Sequence, residues 1–405
     1  MAGAAWSLCA AVAIVAATSS GAVAQNYVAG GLQIGSPDTE EDGVSPFARL
    51  RYGTEVATRV GEADLGIEAT GLVSAGAGQD NVYRTHLFQE AFAIYQTERV
   101  TLSVGRQLIL WGVADGFNPT DVVTPRNFQL PAHALKDPRF GVDAAVLEVS
   151  LSDAATLTTF ATYRPSTNLL ADGLDPTETL DREKPFRPEG NGFGGQFAWL
   201  GELGDLTFSA YRGPARFAVV IPEAAGTVAA APDITMIGAD FDTVVGPWRL
   251  YSEVALHQYD GDFATEYLPD DEILAVFGAE FELSGVNRAG AQLFYRNLQT
   301  NRPTASGPLA ALSEGARRTY GQFDERQVGA SLTYFWESED TLWSGDISVA
   351  SWFEGDSFVR ARGKYRLSDT QAIYLYSDVF GGPDDAPFGV LADTSTFNLE
   401  YRHFF

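Results

Sequence analysis

The stretch Phe397-Asn398-Leu399-Glu400-Tyr401-Arg402-His403-Phe404-Phe405 decides the fold. Its odd-numbered side chains, from Phe397 to Phe405, are apolar or aromatic except for His403, and the residues between them begin with the polar series Asn398, Glu400 and Arg402. Because side chains of a β-strand point alternately to its two faces, this period of two predicts a strand with one oily and one wet face.

Segments with the same period recur along the chain, separated alternately by very short turns and by longer loops rich in Asp, Glu, Pro and Gly. Such alternation is typical of a membrane-spanning barrel with short turns on one side and long loops on the other. A soluble sandwich or propeller would not require it. We place strands near residues 26–34, 46–58, 63–75, 84–95, 98–109, 140–152, 155–164, 192–201, 204–213, 233–245, 247–259, 273–284, 286–298, 326–337, 342–353, 357–368, 371–380 and 394–405.

The sequence therefore predicts an all-β protein, a transmembrane antiparallel β-barrel of about 18 strands (16 is the alternative count), with short periplasmic turns and long extracellular loops. A length of 405 residues otherwise suggests two or three soluble domains, but one closed sheet accounts for it. We expect a signal peptide at residues 1–24 and the barrel at residues 25–405.

Several classes of function are disfavoured by composition. A formal charge of −26 argues against nucleic acid as a partner, because phosphate binding requires a basic field. Cys9, the one cysteine, lies in the predicted signal peptide, and the four histidines show no i, i+4 pair. We therefore expect no metal site and no cofactor. Nor does any segment suggest a catalytic Ser–His pair, so we do not expect an enzyme.

The end of the chain also resembles a known signal. Phe405, with Tyr401 and Leu399 at alternating positions before it, is similar to the C-terminal signature of outer-membrane barrels. That resemblance implies recognition by the barrel-insertion machinery and a location in the bacterial outer membrane, among its lipid and lipopolysaccharide.

Charged side chains on the wet faces indicate what the lumen does. A cation that faces lipid costs about 2–4 kcal/mol near the midplane, so the charged faces must point inward. Opposed charges across a watery pore would orient polar solutes and bias ion selectivity; the alternative is that they only pair with neighbours such as Glu55 and Glu400. The predicted basic stripe comprises Arg49, Arg51, Arg360, Arg362, Lys364, Arg366 and Arg402, and the acids expected about half a barrel away are Asp240, Asp242, Glu253, Glu280 and Glu282.

The long third loop, residues 110–139, is rich in apolar residues and proline. Its apolar side chains need a place to be buried, and the lumen is the nearest one. We expect an inward-folded constriction bearing Trp111, Asp115, Asp121 and Arg126; the alternative is a structured cap over the barrel rim.

Part of this region resembles a protein family. Gly105-Arg106-Gln107, Trp111-Gly112, Pro119-Thr120-Asp121 and Pro125 are similar to the GRQ…WG…PTD…P segment of proteobacterial outer-membrane barrels related to porin-like and alginate-export-like proteins. The resemblance implies a transport barrel and fixes no substrate. We expect passive passage of small polar solutes, and the basic stripe favours anionic ones. The alternatives are an exit conduit for a lipid or polysaccharide served by an inner-membrane export system, and a non-conducting structural or adhesion barrel.

Overall fold

The computed structural model describes residues 26–34, 44–77, 82–128, 139–169, 188, 190–224 and 226–405. The predicted signal peptide, residues 1–24, and positions 129–138 of the third loop lie outside the described residues.

Eighteen strands form one closed antiparallel sheet, in which each strand pairs with its neighbour along the barrel. The first strand, Tyr27–Ile34, closes the barrel by pairing with both the second, Val44–Val60, and the last, Thr396–Phe404. The strands of the barrel are β1 Tyr27–Ile34, β2 Val44–Val60, β3 Ala63–Ala77, β4 Val82–Gln96, β5 Val100–Gln107, β6 Val142–Ser152, β7 Ala155–Tyr163, β8 Asn191–Gly201, β9 Gly204–Pro214, β12 Asp233–Val245, β13 Trp248–Asp260, β14 Glu272–Ser284, β15 Asn287–Leu298, β16 Arg326–Glu337, β17 Trp343–Ser351, β18 Ser357–Ser368, β19 Gln371–Gly381 and β20 Thr396–Phe404.

The predicted barrel and its strand count are confirmed, and tight turns fall where they were expected. One end, here the turn end, carries these turns, while the other, the loop end, carries the long connections. The loops hold elements that were not predicted: a hairpin of β10 (Val219–Glu223) and β11 (Gly226–Ala230), a helix α1 (Ala310–Thr319), and the 3₁₀ helices Thr265–Tyr267, Gly307–Leu309 and Gly389–Thr394. No helix among the described residues is long and apolar enough to cross a membrane.

The two faces of the sheet have opposite character. Side chains on the inner face include buried polar groups such as Glu253, Gln327 and Glu400, whereas apolar side chains on the outer face, such as Ile237 and Leu332, are exposed. This arrangement reverses that of a soluble protein, in which apolar side chains are buried and charged ones are not. It suits a barrel whose outer face is solvated by lipid tails.

Loops fill the loop end of the barrel with an apolar core. The third loop contributes Trp111 and Val122, the hairpin contributes Val219, and Tyr320 follows α1. They pack on inner-face residues of the wall, among them Met236 of β12, which is fully buried. The part of the lumen next to these wall residues is therefore occupied by protein rather than by solvent.

Exchanging Leu332 for Arg tests the assignment of the two faces. Leu332 lies near the middle of β16 on the outer face and is 64% exposed, so Leu332→Arg should cost about 2–4 kcal/mol of barrel stability in lipid vesicles. The neighbouring Thr333 is also exposed and points inward, so Thr333→Arg is the matched control and should cost far less. Urea titration followed by tryptophan fluorescence measures both; equal losses would contradict the assignment.

Candidate functional site

The described part of the third loop, residues 108–128, is the inner segment. It leaves the wall at the end of β5 and is clamped at its base by Thr124, whose hydroxyl donates to the carbonyl of Ile109 at 2.7 Å and accepts the amide of Ile109 at 2.9 Å. The clamp holds two positions fifteen residues apart next to each other, just beyond the end of β5. The residues between them form a closed excursion rather than an open loop.

Glu253, on the inner face of β13, anchors the middle of this excursion. Its Oε1 accepts the amide and hydroxyl of Thr120 at 2.6 and 2.9 Å, and its Oε2 accepts the amides of Val113 and Ala114 at 3.1 and 3.3 Å. The side chain is 2% exposed, and four donors replace the water that it loses.

Further contacts hold the same segment against the wall. The ring Nε2 of His257 lies 2.9 Å from the carbonyl oxygen of Pro119, and Arg249 donates to the carbonyl of Val113 at 3.2 Å. At Gly238 the approach is closer still, since a Cβ atom there would lie 2.5 Å from Cγ2 of Thr120. The glycine lets the segment touch the sheet.

Aromatic contacts extend the segment from one side of the barrel towards the other. Trp111 packs edge-to-face on Phe160 of β7 at 5.4 Å between ring centroids. Phe117 packs on Phe294 of β15 at 5.5 Å and on Trp352, which follows β17, at 5.1 Å. The segment thus lies along the inner wall from β7 to the end of β17.

The remaining predicted residues of the loop differ in their surroundings. Asp115 is exposed at the tip of the excursion, whereas Asp121 is buried and accepts a bond from Arg126 at 2.8 Å. Two cations not identified from the sequence, Arg139 and Arg216, also approach Asp121.

Two groups in the loops have shifted pKa values because they are buried. Burial lowers the pKa of the Arg216 guanidinium, and the adjacent carboxylate of Asp121 opposes this shift. Burial also raises the pKa of the Tyr320 phenol, which donates to the carbonyl of Phe217 at 2.8 Å and so joins two loops.

The predicted basic stripe lies on neighbouring strands, because β18, β19, β20, β1 and β2 pair in that order. Its members are not bare cations. Arg360 forms two bonds with Asp378 of β19, at 2.7 and 2.8 Å, and Arg362 forms two with Asp346 of β17, at 2.8 and 3.0 Å. Both arginines remain partly exposed, at 27% and 42%.

A second group centres on Glu400 of β20, which is fully buried. Arg49 of β2 binds its Oε2 at 2.7 Å, and Arg402 binds its Oε1 at 2.5 Å. Arg402 also lies over the rings of Tyr374 and Tyr27, at 4.1 and 4.6 Å. These two arginines are therefore fixed in the wall and contribute little exposed charge.

The charges of the other three members of the stripe are more accessible to solvent. Arg51, Lys364 and Arg366 are partly exposed, and no carboxylate among the described residues lies within ion-pair distance of them. Arg366 donates to the hydroxyl of Thr341 at 2.6 Å, near the turn end. Within the part of the chain that the structure describes, the stripe is thus a mixture of paired and unpaired cations.

The five predicted acids differ from the expected open acidic wall. Glu253 is covered by the inner segment, and Arg249 lies between Asp242 and Glu280, pairing with the latter at 2.9 Å. Arg249, which was not among the predicted site residues, neutralises part of this wall. Asp240 is buried on the inner face, and Glu282 is exposed towards the turn end.

The residues of the C-terminal signature point outward. Leu399 and Tyr401 are each 41% exposed and Phe405 is 48% exposed, on the face opposite to Glu400 and Arg402. The amide of Phe405 donates to the carbonyl of Asn26 at 3.1 Å, so the last residue lies where the barrel closes.

Arg106, of the family-like segment, lies on the outer face near the loop end and pairs with Asp143 of β6 at 3.0 Å. The preceding Gly105 has φ +136°, where another side chain would collide with the carbonyl of Ala91. Within the described ranges, no group of three or more His, Cys, Asp or Glu side chains is arranged to hold a metal ion.

Comparison with solved structures finds barrels of the same fold. The barrel is similar to OccAB1 of Acinetobacter baumannii (TM-score 0.57, 9% identity, 96% of this chain and 99% of that one). It is also similar to OccK5 (OpdH) of Pseudomonas aeruginosa (0.55, 11%, 94% and 97%) and to OccD3 (OpdP) of the same species (0.53, 9%, 96% and 93%). No family model and no curated protein sequence matches the chain. At such identities the likeness establishes the fold.

Removing the Glu253 anchor should free the inner segment without unfolding the barrel. Glu253→Ala leaves the amides of Val113, Ala114 and Thr120 without their acceptor, and we expect the free energy of local opening to fall by about 3 kcal/mol. Hydrogen exchange measured at those amides tests this. Glu282→Ala, which removes an exposed inner-face acid, is the control and should leave their protection unchanged.

Proposed function

We propose that the protein is an outer-membrane channel through which small anionic solutes pass by diffusion. The observation that carries the proposal is that the inner segment and the exposed cations lie on different sides of the lumen. The inner segment covers the wall from β7 to β17, whereas the cations Arg51, Arg360, Arg362, Lys364 and Arg366 stay partly exposed on the other side. The open path then runs beside the basic wall.

The charge of that wall favours anions. Its seven cations meet three carboxylates, those of Asp346, Asp378 and Glu400, so positive charge is in excess. Glu55 and Glu68 face each other on β2 and β3, beyond Arg51 towards the turn end, and reduce the excess there. A positive field in a narrow watery space raises the local concentration of anions.

The proposed size limit follows from the loop-end core. Trp111, Val122, Val219 and Tyr320 fill the lumen beside β6 to β13, which leaves room for a small solute and argues against a wide conduit for a polysaccharide. We therefore favour diffusion of small solutes over export, and we propose no catalytic role. The relation of the Gly105–Pro125 motif to alginate-export-like barrels stays a prediction.

The outer membrane location rests on the apolar outer face, the closed sheet and the shared fold. We infer that the outward signature Leu399, Tyr401 and Phe405 is read by the barrel-insertion machinery, and that lipid and lipopolysaccharide surround the outer face. Service by an inner-membrane export system and an adhesive role stay predictions.

Reversing the three unpaired cations should reverse the selectivity. The triple variant Arg51→Glu, Lys364→Glu and Arg366→Glu should lower the chloride-to-potassium permeability ratio on the order of tenfold, because it replaces an attractive field for anions by a repulsive one. Reversal potentials in a salt gradient across a planar bilayer measure the ratio. Arg212→Glu and Arg326→Glu, exposed on the outer face, are the controls; an unchanged ratio in the triple variant would contradict the proposal.

Shortening the inner segment should raise conductance. Replacing residues 112–122 with a short Gly-Ser linker keeps the Ile109–Thr124 clamp and removes Phe117 and the contacts to Glu253. We expect larger single-channel steps and weaker exclusion of large solutes. Unchanged steps from a folded variant would favour the alternative that the third loop only caps the rim.

A further inference from the structure

His257 of β13 is a buried histidine that joins the wall of the barrel to the inner segment. Its side chain is 6% exposed, and its ring Nε2 lies 2.9 Å from the carbonyl oxygen of Pro119. A carbonyl oxygen can only accept a hydrogen bond, so Nε2 carries a proton and donates it. The contact therefore fixes the protonation of one of the two ring nitrogens.

The other ring nitrogen, Nδ1, also faces an acceptor. It lies 3.4 Å from Oε1 of Glu272, which is directly opposite His257 on β14. The hydroxyl of Tyr259 lies 3.4 Å from Nδ1, but it donates to the same Oε1 at 3.1 Å. A neutral ring would thus turn a lone pair towards two oxygens, whereas a protonated ring donates from both nitrogens.

Glu272 keeps negative charge for a second cation. Nε of Arg296, on β15, lies 2.9 Å from Oε2 of Glu272, but neither atom has a hydrogen-bond partner among the described residues. The two charges are therefore in contact without the alignment of a hydrogen bond. Since Glu272 is 2% exposed, water does not replace the missing bond. A protonated His257 supplies a charge-assisted bond that Arg296 does not.

The titratable and charged groups around the ring lie on several elements. The Glu272 carboxylate attracts a proton on the ring and the Arg296 guanidinium repels it, so the ring is not held in one charge state. Met236, which is opposite His257 on β12, is uncharged. The remaining groups are Tyr259 and Glu253 on β13, Asp121 in the inner segment, Arg216 after β9 and Tyr320 after α1.

The same cluster reaches a second loop that fills the lumen. Arg296 donates to the carbonyl of Gly321, which follows α1, and the ring of Tyr320 packs edge-to-face on Tyr259 at 5.0 Å between centroids. Glu272 therefore lies between the inner segment and the loop that carries α1. A change in the charge of His257 occurs where these two loops meet.

We propose that His257, with Pro119 and Glu272, forms a pH-sensitive latch on the inner segment. The protonated ring binds Pro119 and Glu272 together; when Nδ1 loses its proton, the bond to Glu272 is lost and the segment opens more readily. Because the protonated form makes the bond, the latch stabilises the segment at low pH and this stabilisation is lost as the pH rises. Histidine is the side chain that changes charge between about pH 5 and 8. The latch regulates the proposed channel and rests on that function, with passage more restricted at the acid end of this range.

Hydrogen exchange at the amide of Thr120, next to Pro119, tests the latch on the folded full-length protein in detergent micelles at about pH 6 and about pH 8. After correction for intrinsic exchange rates, protection should be about tenfold lower at the higher pH, because a charge-assisted bond is lost. His257→Gln keeps a donor for the carbonyl of Pro119 but cannot titrate, so the difference should vanish. Tyr259→Phe removes the hydroxyl that can turn to donate to the neutral Nδ1, so the difference should grow.

His403→Gln is the matched control, because His403 is exposed on the outer face of β20, and this variant should keep the full pH dependence. The sign separates the latch from Glu253, whose protonation would weaken its bonds to the segment and lower protection at acid pH. Protection that falls at acid pH would overturn the latch. An equal pH dependence in a His257→Gln variant that is folded by near-ultraviolet circular dichroism would do the same. If that variant does not fold, a pH dependence in Tyr259→Phe no larger than in the original protein overturns the latch.

Conductance separates the latch from the channel function. Single-channel steps in planar bilayers should be smaller at about pH 6 than at about pH 8, and equal at both in His257→Gln. Equal steps in the original protein would overturn the regulation of passage. A protein that shows the pH-dependent protection but no steps would overturn the channel and leave the latch. Steps together with exchange that does not depend on His257 would overturn the latch and leave the channel.

Discussion

The carboxylate of Glu253 is the contact on which the shape of the lumen depends. An ionised side chain buried at 2% exposure is very costly unless polar groups replace its hydration, and here three amides and one hydroxyl of the inner segment do so. The same bonds satisfy backbone amides of a segment that leaves the sheet, which are equally costly to bury alone. The segment's donors offset the cost of burying the Glu253 carboxylate, and the carboxylate offsets the cost of burying the segment's amides. The segment therefore lies flat on β13 and does not project into solvent.

Once the inner segment lies on one side, the two walls of the lumen have different roles. On the wall that the inner segment covers, charged groups stabilise the structure: Arg249 binds Asp242, Glu280 and the carbonyl of Val113. On the open wall, five cations of the basic stripe stay partly exposed, whereas Arg49 and Arg402 are buried against Glu400. The function of a charge in this barrel therefore depends on which side of the inner segment it lies, and not on its strand position alone.

That dependence explains what the sequence could and could not predict. The fold can be predicted from the local alternation of apolar and polar residues, because every strand must turn an apolar face to lipid. This requirement is visible in single segments such as 396–404. Contacts of the loops are not local. The sequence places Glu253 on the inner face but holds no sign that a loop 140 residues earlier will cover it. Arg139 and Arg216 were missed for the same reason, because three separate positions meet only after folding.

Part of the lumen chemistry was, however, accessible. Asp346 and Asp378 were missed, although the strand assignment implies antiparallel neighbours, and the register places Asp346 directly opposite Arg362 and Asp378 opposite Arg360. Cross-strand partners on one face interact directly. Such pairs are compatible with the proposed use of the stripe for solutes. A carboxylate that binds one edge of a guanidinium fixes its plane and leaves the other edge free, so pairing sacrifices some positive charge in exchange for ordered donors along the path.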